Sequence, residues 1–368
     1  MFIAIGFALL PQAAFAHAQL VQTDPAANAQ LEYVPPAVTL IFTEPVTAAG
    51  AGIRVYSPSG KQVGGPPSTS GSIMSAKLNS TELGTYVVSW QVFASDTHPS
   101  RGAFSFTVGR PSANPYSTLL STAQAGTSTP LGLALQALAR WVHFAGFALV
   151  FGIAGYRVLT ERNDGLGRPV GVGIICLVAA EPLALLGQLA SLSFDGDTAI
   201  AVLGSSFGRL LALHLGAALL AWTLLAAGRS WPLLAIGGVV ALLDGASAHA
   251  IPGLPGAGQV LVAIHVSGMG LWVGGLAAYL IAPDIRFRRY AGATLGVAVA
   301  SGLLLAFAHT PYPAALIATD YGRVLIVKAG LVAAAVLLVV LRRRRLELGV
   351  AAAIIAAAAV LAALPPSR

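Results

Sequence analysis

Two hydrophobic rhythms divide this chain. Between residues 17 and 110, apolar positions come in short, alternating or β-branched runs: Val38-Thr39-Leu40-Ile41-Phe42, Ile53-Arg54-Val55-Tyr56, Tyr86-Val87-Val88-Ser89-Trp90 and Phe104-Ser105-Phe106-Thr107-Val108. Pro-Pro, Ser-Pro-Ser-Gly and Gly-Gly-Pro-Pro punctuate them as turn signals. Short strands at this spacing predict an all-β sandwich or barrel. From 131 to 364 the pattern changes to near-continuous Leu, Ala, Val and Gly. Segments of about twenty apolar residues span a bilayer, and eight are expected, near 133–158, 169–191, 207–228, 232–249, 258–281, 290–309, 322–341 and 346–364. The stretch 111–130, rich in Pro, Ser, Thr and Ala without periodicity, reads as a linker.

A third pattern opens the chain. Residues 2–10 are apolar, and Pro11 and the small-residue site Ala14-Phe15-Ala16 follow. This is the h-region and A-x-A arrangement of a secretory signal peptide over 1–16, although no Lys or Arg precedes the apolar stretch. Cleavage after Ala16 makes His17 the first mature residue. The expected organisation is therefore signal peptide 1–16, β-domain 17–110, linker 111–130 and an all-α polytopic membrane domain over 131–368.

Composition agrees with this division. Hydrophobic residues make up 56% of the chain and charged residues 10%, against about a quarter charged in soluble globular proteins. The net charge of +7 could suggest a nucleic-acid partner, but its placement excludes one. Arg342 to Arg345 sit between apolar runs, where a cytoplasmic anchor belongs, and no basic stripe interleaves with aromatics. Arg157, Arg162 and Arg168, then Arg229, then Arg286, Arg288 and Arg289 occupy the other predicted inner loops. Asp195, Asp197 and Asp320 fall in outer ones. Eight spans put both termini on one side, outside the cytoplasmic (inner) membrane. The single cysteine, Cys176, lies in an apolar run and reads as a small buried hydrophobe.

Candidate chemistry lies in histidines and carboxylates. A mature N-terminal His17 offers both an amine and an imidazole. Asp96-Thr97-His98 adds a carboxylate and a second imidazole, which an extended backbone points to one face. Nitrogen and oxygen donors in a tetragonal set suit Cu(II), and Glu44 is a candidate to orient one of the imidazoles. In the membrane domain, His143, His214, His249, His265 and His309 all fall on the predicted outer side. Ionisable groups in spans mark pathways or ligand sites, so His249, His265, His143 and His214 form a candidate membrane copper site. His309 and Glu181, the latter beside the helix-kinking Pro182, are candidate pathway residues. Arg323 and Lys328 read as snorkelling anchors at a helix end.

The stretches His17-Ala18-Gln19-Leu20 with Thr23-Asp24-Pro25-Ala26, Leu40-Ile41-Phe42-Thr43-Glu44-Pro45-Val46, and Ser95-Asp96-Thr97-His98-Pro99 with Gly102 and Phe104 to Val108 together resemble the CopC copper-binding family. That resemblance implies an immunoglobulin-like Greek-key sandwich with His17, Asp96 and His98 as Cu(II) ligands. Met74 is the only methionine in this domain, so no methionine-rich Cu(I) site is expected there. The membrane domain resembles the CopD family through Ala248-His249-Ala250, His265, Leu271-Trp272-Val273-Gly274-Gly275-Leu276, Thr319-Asp320-Tyr321-Gly322-Arg323 and Lys328. Together they are similar to the CopC–CopD fusion copper resistance and transport family (YcnJ-like proteins), which implies copper uptake across the membrane. No Walker A motif, nucleophile elbow or H-E-x-x-H is present, so a non-enzymatic carrier without ATP coupling is expected. Two alternatives stay open: a membrane haem or redox protein, and a copper chaperone or sensor scaffold that serves the assembly of a copper-requiring oxidase. Beyond copper ions and the lipid bilayer, such chaperone or oxidase-assembly proteins are the expected partners.

Overall fold

The computed structural model describes residues 18, 20–94, 99–122, 129–162, 165–192, 194–228, 230–248, 251, 255–310 and 312–364. The signal segment, His17, Asp96, His98 and His249 lie outside the described residues. Among the described residues two units form: one over 18–132 together with Gln188–Arg209, the other over Leu133–Gly187 and Leu210 onward.

The first unit is a sandwich of two four-stranded sheets. Its strands are β1 (Leu20–Asp24), β2 (Gln30–Leu31), β3 (Ala37–Phe42), β4 (Val46–Tyr56), β5 (Gly64–Ser70), β6 (Ile73–Leu78), β7 (Gly84–Ala94) and β8 (Pro99–Val108). The sheet orders are β1-β3-β6-β5 and β2-β8-β7-β4, antiparallel except where β2 meets β8. Alternation in the sequence becomes alternation in burial: Val38, Leu40 and Phe42 of β3 enter the core while Thr39 and Ile41 stay half-exposed. β5, with Pro66 and Pro67, takes an edge position, where a strand can lack donors.

Aromatic pairs fill the core. Phe42 meets Trp90 edge-on at 5.2 Å, and Tyr86 stacks on Phe106 at 5.0 Å. Gly102 lies opposite Trp90 in the β7–β8 register. A Cβ there would sit 2.5 Å from the indole, so the ring covers a position that only glycine leaves open. The Tyr86 hydroxyl donates to the Glu82 carbonyl at 2.7 Å, the tyrosine-corner arrangement of Greek-key sandwiches. The chain stays fastened past Arg110: buried Asn114 donates to the carbonyls of Ser57 and Thr85, each at 2.9 Å. A short helix, α1 (Thr118–Thr122), follows.

The remaining helices are α2 (Pro130–Phe147), α3 (Ile153–Thr160), α4 (Gly167–Ser191), α5 (Gly196–Gly204), α6 (Ser206–Ala226), α7 (Ser230–Ala246), α8 (Pro255–Ile281), α9 (Phe287–His309), α10 (Ala315–Ala318), α11 (Asp320–Val340) and α12 (Arg344–Ala363). A single π turn, Ala148–Gly152, fuses α2 and α3 into one span. Among the described residues, seven helical segments are long and apolar enough to cross a membrane. They match seven of the eight expected spans. The eighth, expected at 232–249, is α7, a 17-residue apolar helix that stops at Ala246, two residues past Asp244.

Glycines set the closest helix approach. A Cβ at Gly274 of α8 would collide with the Ala148 carbonyl, and one at Gly152 with the Gly270 carbonyl. The G-x-x-x-G pair Gly270/Gly274 therefore lets α8 lie directly against the π turn. At one loop, Arg286 donates to the carbonyls of Leu159 (3.0 Å) and Thr160 (2.9 Å), capping the end of α3. Arg286 and Arg162 also pair with Asp284.

Candidate metal centre

Four helices of the second unit each contribute one ionisable side chain to a common point: His143 from α2, Glu181 from α4, His214 from α6 and Asp244 from α7. All four are about one-tenth exposed or less at the side chain. His143 Nε2 lies 3.1 Å from Asp244 Oδ1, and His214 Nε2 lies 3.7 Å from the same oxygen. On the opposite side, His143 Nδ1 and His214 Nδ1 approach Glu181 Oε1 at 3.7 and 4.0 Å. Each imidazole thus has one nitrogen towards each carboxylate, and the ring centroids are 5.0 Å apart.

This set fits a bound cation. One ligand atom each from His143, His214 and Asp244 lie within 4.8 Å of one another. Ligands held about 2 Å from an ion stand roughly 3–4 Å apart. His214 Nε2 is buried with no hydrogen-bond partner, a costly arrangement that an ion between it and Asp244 would relieve. Two carboxylates supply the negative charge that a divalent ion needs away from water. Imidazole and carboxylate donors suit Cu(II) and Zn(II).

The structure divides the candidate histidines. His143 and His214 come together, with Glu181 as a direct neighbour. His265 stands apart from that cluster. Its Nδ1 meets the Ala298 carbonyl at 2.9 Å and the Ser301 hydroxyl at 3.2 Å, and its Nε2 accepts from Lys328 Nζ at 3.5 Å. Lys328, read from sequence as a snorkelling anchor, turns inward instead. His309 and His265 both line a cavity of about 390 Å³ among α8, α9, α11 and α12. Sequence reasoning did not single out Asp244. The signal was present, since Asp244 is the only acidic residue between Asp197 and Asp284 and interrupts an apolar run.

In the sandwich, the strand ends that border His17 and Asp96–His98 are described even though those residues are not. Leu20 pairs with Phe42, Val46 with Ala94 and Phe93 with Pro99. Only Thr43-Glu44-Pro45 separate Phe42 from Val46, so these ends share one end of the sandwich. Glu44, in that connection, is buried at 3% exposure.

A β-sandwich followed by a bundle of apolar spans defines a multi-pass membrane protein with a small β-domain ahead of its helices. Residues 20–109 match the CopC domain family. The chain is 32% identical over 105 residues to Protein YobA of Escherichia coli K12, covering 27% of this chain and 85% of that protein. It is 28% identical over 116 residues to Copper resistance protein C of Xanthomonas campestris pv. juglandis, covering 29% of this chain and 91% of that one. Along most of its length it also aligns with the Copper transport protein CutJ of Bacillus subtilis 168, at 25% identity over 367 residues. That alignment covers 88% of this chain and 66%, just under two thirds, of the relative. The chain belongs to the CopC family, and its helical region follows that domain as in CopC–CopD fusions.

Proposed function

We propose that this protein takes up copper across the cytoplasmic membrane. The sandwich captures Cu(II) on the outer side through His17, Asp96 and His98. The ion then passes to the His143–His214–Asp244–Glu181 cluster among the spans. The observation that carries this reading is that cluster: two imidazoles bracketed by two carboxylates from four apolar helices, at ligand distances and away from water. A purely structural role would leave two carboxylates and two histidines inside a bilayer with nothing to exchange, at considerable cost. The names of the relatives from Bacillus and Xanthomonas support copper as the cargo.

The shared strand end supports capture at His17, Asp96 and His98, and buried Glu44 stands beside it. Arginine placement supports the orientation, because every Arg-rich connection falls on the side opposite the sandwich when all eight helices cross. The haem alternative finds no support in the cluster. Imidazole centroids 5.0 Å apart and tilted by 56° leave no room for a porphyrin between them.

The test is copper content in cells that express the wild type, His17→Ala, or the pair His143→Gln/Asp244→Asn at equal levels. Wild type should raise cellular copper, and both variants should return it to the vector level. If the wild type leaves copper content unchanged, the transport reading is wrong. If only His17→Ala loses accumulation, the membrane cluster has no part in transit.

A further inference from the structure

The cavity that holds His265 and His309 has a chemistry opposite to that of the carboxylate cluster. Among the described residues, no carboxylate lines it. Its polar side chains are imidazole, phenol, indole and one ammonium, set among Leu, Val and Ala side chains. A hard divalent ion would find no compensating charge there.

His265 is prepared as a ligand. A carbonyl oxygen can only accept, so the 2.9 Å contact with Ala298 fixes the proton on Nδ1 and leaves the lone pair on Nε2. Backbone carbonyls orient metal-binding imidazoles in this way. Gly302 makes space for the ring, since a Cβ there would stand 2.8 Å from His265 Cε1. The His309 Nδ1 likewise meets the Leu305 carbonyl at 2.9 Å, which assigns its lone pair to Nε2.

Met269 completes the set. It follows His265 by four residues, which puts both on one face of α8, and it lines the same cavity. The chain holds three methionines, and Met269 is the only one beyond residue 74. Thioether and imidazole donors without a carboxylate select Cu(I) and similar soft monovalent ions. His309 lies two turns beyond Gly302 on α9, about 10 Å along the axis, so it lines another part of the cavity and does not share the coordination sphere of His265.

Lys328 Nζ stands 3.5 Å from His265 Nε2. An ion about 2 Å from that nitrogen would press against the ammonium, so the two cations exclude each other. We propose that this cavity is a second site, specific for a soft monovalent metal ion, with His265 Nε2 and the Met269 thioether as ligands and Lys328 holding the ion's place when it is empty. Only the identification of that ion as Cu(I) rests on the copper reading above.

The test uses the purified full-length chain in lipid nanodiscs with a Cys176→Ala background, loaded with Cu(I), and separately with Ag(I) as a redox-inert probe. Met74 is sealed in the sandwich core. X-ray absorption of the Cu(I) form should therefore show a sulfur neighbour that Met269→Leu, a near volume-conserving change, removes. Lys328→Leu should tighten Ag(I) binding by roughly tenfold or more, because it removes a competing charge; a misfolded variant could not mimic that gain. A sulfur signal indifferent to Met269→Leu, or an affinity indifferent to Lys328→Leu, overturns the proposal. If Ag(I) binds and responds in this way while His143→Gln/Asp244→Asn leaves cellular copper unaltered, the soft site stands and the uptake reading falls. If only the cluster variants lose metal, the uptake reading stands and the soft site falls.

Discussion

Single glycines decide where the reactive rings can sit. At Gly302 an added Cβ would strike His265, so Gly302→Ala should displace that ring and weaken Ag(I) binding by the purified chain. Gly292→Ala, on the same helix with nothing within 4 Å, should be neutral in the same assay. In the sandwich, Gly102→Ala overpacks Trp90 and should cost about 1–3 kcal/mol, read from thermal unfolding of the β-domain expressed alone. A titration adds to this. Glu82 accepts from the Ser59 backbone N–H at 3.0 Å, and that bond holds its carboxyl below its ordinary value of 4.5. A carboxyl depressed on folding stabilises the domain above its unfolded value, and that contribution fades as the pH falls through the folded one. The stability difference between wild type and Glu82→Gln should therefore be full at pH 7 and shrink below about pH 4.5. At this scale His143, His214 and Glu181 were legible as ionisable residues in apolar runs. Asp244 carried the same mark within the expected span 232–249, but a lone carboxylate there gains its meaning only from the histidines that other helices bring to it. Lys328 was misread because snorkelling and inward pairing leave the same trace in sequence.

Elements were legible where one periodicity dominates. The period-two runs became β3, β7 and β8, and the long apolar runs became the expected helices, because burial on one face or immersion in lipid leaves little choice of structure. Two features needed the third dimension. The π turn at Ala148–Gly152 has no sequence signature, and it arises where α8 presses close enough to require Gly270 and Gly274. Gly274→Ala should therefore force α2 and α8 apart and destabilise the bundle by about 1–3 kcal/mol, measured as the midpoint of thermal aggregation in detergent. Nor does sequence show which faces of α2, α4, α6 and α7 turn inward together. These helices are apolar nearly all round, so few residues beyond the four ionisable ones mark the inner face.

For the whole molecule, topology turns on α7. At 17 residues and 1.5 Å per residue it measures about 25 Å, somewhat less than the roughly 30 Å hydrocarbon core. If α7 crosses, Arg229, the Arg286–Arg289 group and Arg342–Arg345 share one side. If it does not, the last two groups move to the side of the sandwich, against the positive-inside tendency. A reporter enzyme active only outside the cytoplasm, fused after Arg368, should be active in this orientation, and the same reporter fused after Arg345 should be silent. Activity at Arg345 and silence at Arg368 would show seven crossings.

The π turn also acts as a phase shifter. A helix advances 100° per residue, so the one extra residue between His143 and Gly155 rotates everything before it relative to everything after. His143 can therefore face Glu181, His214 and Asp244 while Gly152 still faces Gly270. Deleting one residue from Ala148–Gly152 would leave composition and hydropathy almost untouched. It would nevertheless swing His143 about a quarter turn off the cluster, disarming the site by rotation alone.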